Sequence, residues 1–412
     1  MSNSTNDTQK VTAPLGWQEL GIMQGFPAPA DKQVKNTNWV WYPFNRWSFQ
    51  NVCKILPVTL VKSGETIAFE HSESKDFTCL DVIRSTGESA KIIDVLESHN
   101  TDAFVVLHKG KIEQEAYYNG MNARSQHWLA SMTKSFTGLA AEILISQGVI
   151  ERNKRAEEYV SDLKGTAIGS ATVQQILDMT AGTAWDESMN ALMDENSFAR
   201  QYGNAVGTWP MGGESNGVFG ILPKIGMERE HGTNFVYNSP LSDAMGWVLS
   251  AATGKRFEDL MAELFWNELG AEDQAYIMTD TNTFAWTTGG LNMSARDAAR
   301  FGQVMANRGQ FAGKQIFPAS VVESIEQGDT APFVGSAYDE RIPGGAYSSF
   351  FWLTNDEDGS YMAKGMFGQY IYINPTKDVV VVRLASPEVS SKPEFDLDML
   401  EVFKQISNAL TQ

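Results

Sequence analysis

A chain of 412 residues, 42% of them hydrophobic and with a net charge of −18, is long enough to bury a sizeable core. Its acidity, with an isoelectric point near 4.7, argues against nucleic acid and anionic membrane surfaces as partners. No apolar run reaches spanning length, the stretch 1–7 lacks the charged and apolar regions of a secretory signal, and Cys53 and Cys79 have no zinc spacing, so a cytoplasmic protein without a metal or organic cofactor is expected.

In chain order, residues 1–20 are polar, and 38–47 hold a dense aromatic cluster that reads as part of an N-terminal arm (1–90) packed on the body. Residues 103–107, a turn at Lys109-Gly110, and 112–118 read as a hairpin. A long apolar run from Phe136 to Ile145 reads as a buried helix, stopped by Gly148. Further helices are expected over 172–179, 241–250 and 257–269, and over 295–307 with Ser294 as cap. Strands are expected near 348–354, 360–366, 369–373 and 379–384. Strands from both ends of the chain around a helical insert imply an α+β fold, one antiparallel sheet with helices on its faces. The hydrolase domain would then be 91–412, with an α/β lobe at about 91–165 and 285–412 and a mostly helical lobe at about 166–284.

Ser131-Met132-Thr133-Lys134 opens the apolar helix. A serine in that first turn sits in the positive field of the helix dipole, which favours a developing alkoxide. Lys134 projects from the same face three residues on, and burial would lower its proton affinity enough to make it a base. The spacing alone is weak, because Ser72–Lys75 and Ser161–Lys164 share it in polar, surface-like settings. Two later elements strengthen it. Tyr237-Asn238-Ser239 lies on a loop before Pro240, a residue suited to the first turn of the next helix. Lys364-Gly365-Met366-Phe367-Gly368-Gln369 interrupts two strands with glycines, which permit close backbone approach to a ligand.

Taken together these three elements resemble the serine β-lactamase and penicillin-binding-protein superfamily, whose signature is Ser-x-x-Lys, Tyr-x-Asn/Ser, then Lys-Thr-Gly or His-x-Gly. Within it the chain is similar to the branch holding class C β-lactamases, family VIII esterases and 6-aminohexanoate-dimer hydrolase. The Thr288-Gly289-Gly290-Leu291 segment and the 177–187 loop resemble that branch as well. The resemblance implies catalytic Ser131, Lys134 and Tyr237, with the choice of base between Lys134 and Tyr237 open. It also implies an oxyanion hole from the backbone N–H groups of Ser131 and Gln369.

Two departures bear on substrate. Met366 stands where the signature has a cation, and Ser239 is the serine variant of the second element rather than its asparagine form, a variant that looks more like the esterase and amide-hydrolase members. A methionine offers a soft apolar wall in place of a charge, so a free carboxylate near the scissile bond is expected to be disfavoured. Trp185, Ser239, Met366, Phe367, Gly368 and Tyr370 are the expected substrate-binding residues, with Met189 a further pocket candidate. The expected activity is hydrolysis of a small ester or linear amide. The rivals are a β-lactamase or D,D-peptidase, a ligand-binding protein that has lost the chemistry, and a Ser-His-Asp hydrolase. The last would need a Gly-x-Ser-x-Gly elbow, which is expected to be absent, and a partner among only five histidines. The glycine-rich stretch 211–217 is expected to be a flexible loop near the site entrance.

Overall fold

The computed structural model describes residues 13–73, 75–209, 211 and 215–411, Met189 through its backbone alone. The fold is α+β and β-lactamase/transpeptidase-like. Its main sheet has eight strands, in the spatial order Ala346–Ser348, Phe351–Leu353, Tyr361–Gly365, Gln369–Asn374, Val379–Ala385, Thr101–His108, Lys111–Tyr117 and Glu70–His71. All neighbours are antiparallel except the last pair, where Glu70 and His71 run parallel to Lys111 and Ile112. Val379–Ala385 and Thr101–His108 sit mid-sheet, covered on both faces, and so read as continuous apolar runs.

Alternation along Gln369–Asn374 sends its side chains to two different helical layers. Gly302 of the helix Ala295–Ala306 lies so close to the sheet that a Cβ there would meet Ile371 and Val380. Tyr372, on the other face, stacks on Phe403 of the C-terminal helix Pro393–Thr411, ring centroids 4.9 Å apart. The helix Thr133–Ser146 packs on the first layer, its Phe136 ring 3.8 Å from that of Phe301. It is buried on nearly every side, and Gly148 ends it at φ +71°. The cap expected at Ser294 forms, its hydroxyl accepting the Asp297 N–H at 3.1 Å.

Two features differ from the expectation of a single sheet. A second antiparallel sheet of four short strands runs Val58–Val61, Ala275–Met278, Leu291–Ser294, Gln126–Trp128. Each has only three or four residues, too few to show a period in sequence. The 13–90 segment therefore adds one strand to each sheet, Val58–Val61 and Glu70–His71. Among the described residues no strand lies between Trp128 and Ala275, and that span is built of helices and loops. Among them too, no helix is long and apolar enough to cross a membrane.

Candidate active site

The strand Gln126–Trp128 delivers the chain into a tight turn, Ala130–Met132, that precedes the helix Thr133–Ser146. Ala130 holds φ +49°, a left-handed conformation costly for a residue with a Cβ, so the turn must be held from outside. Thr133 does part of this, its hydroxyl donating to the Ala130 carbonyl at 2.7 Å and accepting the Leu291 N–H at 3.0 Å. Ser131 is left half-buried at the head of the helix. Lys134 is 1% exposed; its Nζ lies 2.8 Å from Ser131 Oγ and donates to the Thr288 carbonyl at 3.1 Å. Burial brings its pKa down from 10.5 to about 8, against an upward pull from the Glu187 and Asp243 carboxylates.

Tyr237 sits on a loop that ends at Pro240, the first residue of the helix Pro240–Thr253. Its ring stacks on Trp352 at 5.4 Å, and the Lys134 Nζ lies 5.0 Å from the ring centroid. Burial pushes its phenol pKa well above the ordinary value, the neighbouring Ser131 side chain pulling it slightly the other way. Asn238 turns inward, donating to the Thr183 hydroxyl at 2.7 Å. Ser239 clasps Glu187 through both its N–H (3.0 Å) and its hydroxyl (2.5 Å). Tyr237, distant in sequence, thus meets the neighbouring pair Ser131 and Lys134 at one point.

The third element is a hairpin between the strands Tyr361–Gly365 and Gln369–Asn374, with Gly365 registered opposite Gln369. Gly365 has to be glycine here, because a Cβ would fall 2.5 Å from the Leu129 carbonyl oxygen beside the serine turn. Met366, Gly368 and Tyr370 line the cavity as expected. Phe367 does not: at φ +62° its ring turns into the core, edge-on to Phe49 at 5.1 Å. Gln369 is also off the cavity surface; it is fully buried, and its side-chain amide donates to the Ala385 carbonyl at 2.7 Å. Among the described residues, Met366 is the hairpin residue that both follows Gly365 and faces the cavity.

The cavity has a volume of about 360 Å³. Trp185 lines it, donating its indole N–H to Glu187 at 2.8 Å, and so do Trp39, Trp128, Trp209, Trp286 and Trp352. Trp39 comes from the aromatic cluster of the N-terminal segment, so that cluster supplies pocket wall as well as packing. The expectation of an uncharged wall at Met366 needs correction. Lys364, two residues earlier, lines the same cavity together with Arg341, Lys392 and Asp396. These come from a loop, a strand and the start of the C-terminal helix, and no motif in the sequence joins them. The side chain of Met189, and Gly212 to Glu214 of the glycine-rich stretch, lie outside the described residues.

A family model named Beta-lactamase matches residues 91–402. The chain belongs to the Beta-lactamase family. It is 27% identical over 368 residues to a 6-aminohexanoate-dimer hydrolase of Paenarthrobacter ureafaciens, covering 88% of this chain and 90% of that one. A solved structure of a Bacillus anthracis protein given the same assignment is 29% identical, with a TM-score of 0.84 over 93% of this chain and 99% of that one. A class C β-lactamase from Rhodobacter sphaeroides shares the fold at 14% identity, with a TM-score of 0.53 over 76% of this chain and 97% of that one. The protein is a hydrolase of the serine β-lactamase superfamily.

This Beta-lactamase-family site is braced from behind by Asp243, which is fully buried. Its carboxylate accepts from the Thr287 hydroxyl (3.0 Å), the Thr288 N–H (3.1 Å) and the Tyr202 hydroxyl. It thereby fixes Thr288, the residue whose carbonyl holds Lys134, and burial raises its own pKa to about 6. The other Ser-x-x-Lys pairs are peripheral: Lys75, Ser161 and Lys164 are exposed. Gly213-Glu214-Ser215-Asn216-Gly217 does spell Gly-x-Ser-x-Gly, contrary to the expectation that no such string exists. The setting disqualifies it, since among the described residues no strand leads into it and the Ser215 hydroxyl accepts the Gly217 N–H at 3.1 Å, with no histidine partner.

Proposed function

We propose that the protein hydrolyses linear amides or small esters through an acyl-enzyme on Ser131. The observation that carries this is the 2.8 Å contact between Ser131 Oγ and a fully buried Lys134 whose pKa is lowered to about 8. Neutral Lys134 takes the hydroxyl proton as Ser131 attacks the carbonyl carbon. The tetrahedral intermediate collapses, the C–N or C–O bond breaks, and the proton returns to the leaving group through the Tyr237 hydroxyl. Water then attacks the acyl-serine with the same groups serving in reverse.

For the oxyanion we assign the Ser131 N–H, in the unpaired first turn of its helix, and the Met366 N–H in place of Gln369. Met366 follows the glycine that packs against the serine turn, and it lines the cavity, which Gln369 does not. Losing one such donor costs about 3 kcal/mol of barrier in comparable sites. The preference for linear amides draws on the relatives assigned as 6-aminohexanoate-dimer hydrolases.

The test is hydrolysis of p-nitrophenyl butyrate and of a linear N-acyl anilide by the native protein and by Ser131→Ala, with mass spectrometry of the quenched reaction. The expected result is activity and a butyryl adduct on the peptide holding Ser131 in the native protein alone. Equal activity in both proteins would move the nucleophile elsewhere.

A further inference from the structure

Tyr237 has no regular structure of its own to hold it, since residues 234–238 lie outside any helix or strand. The backbone on each side of it is held instead by a single residue from elsewhere. The Met179 carbonyl accepts the Val236 N–H at 3.0 Å, and the Met179 Sδ accepts the Asn238 N–H at 3.4 Å. Met179 thus grips Tyr237 from both flanks. It does so from outside the cavity, being fully buried and off the cavity surface.

Met179 is itself braced. It holds φ +53°, a left-handed conformation that a residue with a Cβ keeps only under constraint. Part of that constraint comes from Asp178, at the end of the helix Val173–Leu177. Its Oδ2 accepts from the Gln174 side chain at 2.7 Å and its Oδ1 from the Ser349 N–H at 3.1 Å. Beside it the Leu177 carbonyl accepts the Phe350 N–H at 3.0 Å. On the other side of Met179 the chain is pinned again, the Thr180 carbonyl accepting the Gly232 N–H at 2.8 Å and the Gly226 carbonyl accepting the Ala184 N–H at 2.8 Å. A thioether is a weak acceptor, and an uncommon one for a backbone donor. Asn238 is fully buried, so removing that sulfur strands its N–H in the core. A buried donor left unpaired is costly enough to move the chain that carries it.

We infer that Met179 is a positioning residue for Tyr237, its carbonyl and thioether together setting where the Tyr237 hydroxyl stands relative to the leaving group. The inference rests on the Ser131 hydrolase reading. In that reaction the proton taken from Ser131 by Lys134 reaches the leaving atom through Tyr237. The Oη gives its own proton to the nitrogen as the C–N bond breaks and receives the one on Nζ, so the tyrosine ends neutral and the amine departs with a new N–H bond. Substrates need this step unequally. An amide nitrogen cannot depart as an anion and requires the proton, whereas p-nitrophenolate leaves without it. Met179 therefore sets how well the enzyme handles amides relative to activated esters, without touching either.

The test compares the native protein with Met179→Leu, which keeps the apolar bulk and removes the acceptor. Both are assayed in single preparations on p-nitrophenyl butyrate and on an N-butyryl anilide. The anilide-to-ester ratio of kcat is expected to fall about tenfold or more, with KM for the anilide changed by less than about twofold, because displacing a catalytic group by about 1 Å costs on the order of 10²-fold. A residue that serves stability alone changes the active fraction and leaves this ratio where it was, and an unchanged ratio overturns the inference. Hydrogen exchange of the peptide spanning 234–240, read by mass spectrometry, gives a measure independent of turnover. The native protein should protect the Val236 and Asn238 amides, and Met179→Leu should release protection there. Exchange in the native protein at the rate of an open loop overturns the clamp even if the variant fails to fold. If the native protein turns over neither substrate, the hydrolase reading fails and takes the inference with it, a result distinct from an active enzyme whose ratio does not move.

Discussion

Replacing Glu187 with glutamine tests whether Lys134 works as a neutral base. With a pKa of about 8, roughly one Lys134 in eleven is neutral at pH 7, whereas at the ordinary 10.5 it would be roughly one in 3,000. Burial therefore raises the base-competent fraction by about 300-fold. The rate constant kcat/KM should climb about tenfold per pH unit below a midpoint near 8 and level off above it. Glu187 is the larger of the two carboxylate influences that favour the ammonium form. Removing its charge leaves desolvation less opposed, so the midpoint must move down, and each unit of movement reports about 1.36 kcal/mol of lost ammonium stabilisation. Glutamine keeps the shape and an acceptor for the Ser239 N–H and the Trp185 indole. The assay is kcat/KM for p-nitrophenyl butyrate from about pH 6 to pH 10 in both proteins. A midpoint that stays put or rises refutes the assignment of that titration to Lys134.

Asp243→Asn should move the same midpoint down as well, since Asp243 is the second anion acting on Lys134, and the double variant should move it further than either alone; an upward shift in the single variant would break the argument. Gly138→Ala should lower stability by about 1–3 kcal/mol in urea unfolding, because the new Cβ would fall 1.9 Å from the Ser349 carbonyl oxygen and a backbone atom cannot step aside cheaply; an unchanged midpoint would mean that the helix and the Ser349 turn are less tightly locked together.

The parts legible in the sequence were those with a local signature. The helix behind Ser131 announced itself by a run of apolar residues and a glycine stop, and the paired strands 101–108 and 111–117 by an apolar run followed by a turn. The C-terminal helix carries an equally local signature, although it is not among the expected elements: Met399, Val402, Phe403, Ile406 and Leu410 repeat at helical spacing and are all buried. The second sheet was not legible, because strands of three or four residues acquire their identity from partners as far as 220 residues away (Val58 to Met278, 278 − 58). Phe367 misled for a different reason. A motif fixes which residues are neighbours in sequence, but a left-handed φ at that position rotates the ring out of the cavity and into the core.

The charge of the pocket shows most clearly where motif reading stops. The three-element signature locates a nucleophile because Ser131 and Lys134 must share one helix turn, a constraint that spacing can express. The groups that greet the rest of a substrate obey no such constraint. Arg341, Lys364 and Asp396 need only reach the same wall, so they can come from any element the fold brings there. A cation missing from one motif position is therefore no evidence that the cavity lacks one. The place of a lost charge can be filled from the neighbouring loop and helix, because an ion pair is selected by distance and desolvation and not by sequence order. By the same argument the substrate preference of a relative transfers only as far as its wall residues do, and Arg341 and Lys364 are the positions at which to look for divergence among proteins that share the Ser131–Lys134–Tyr237 centre.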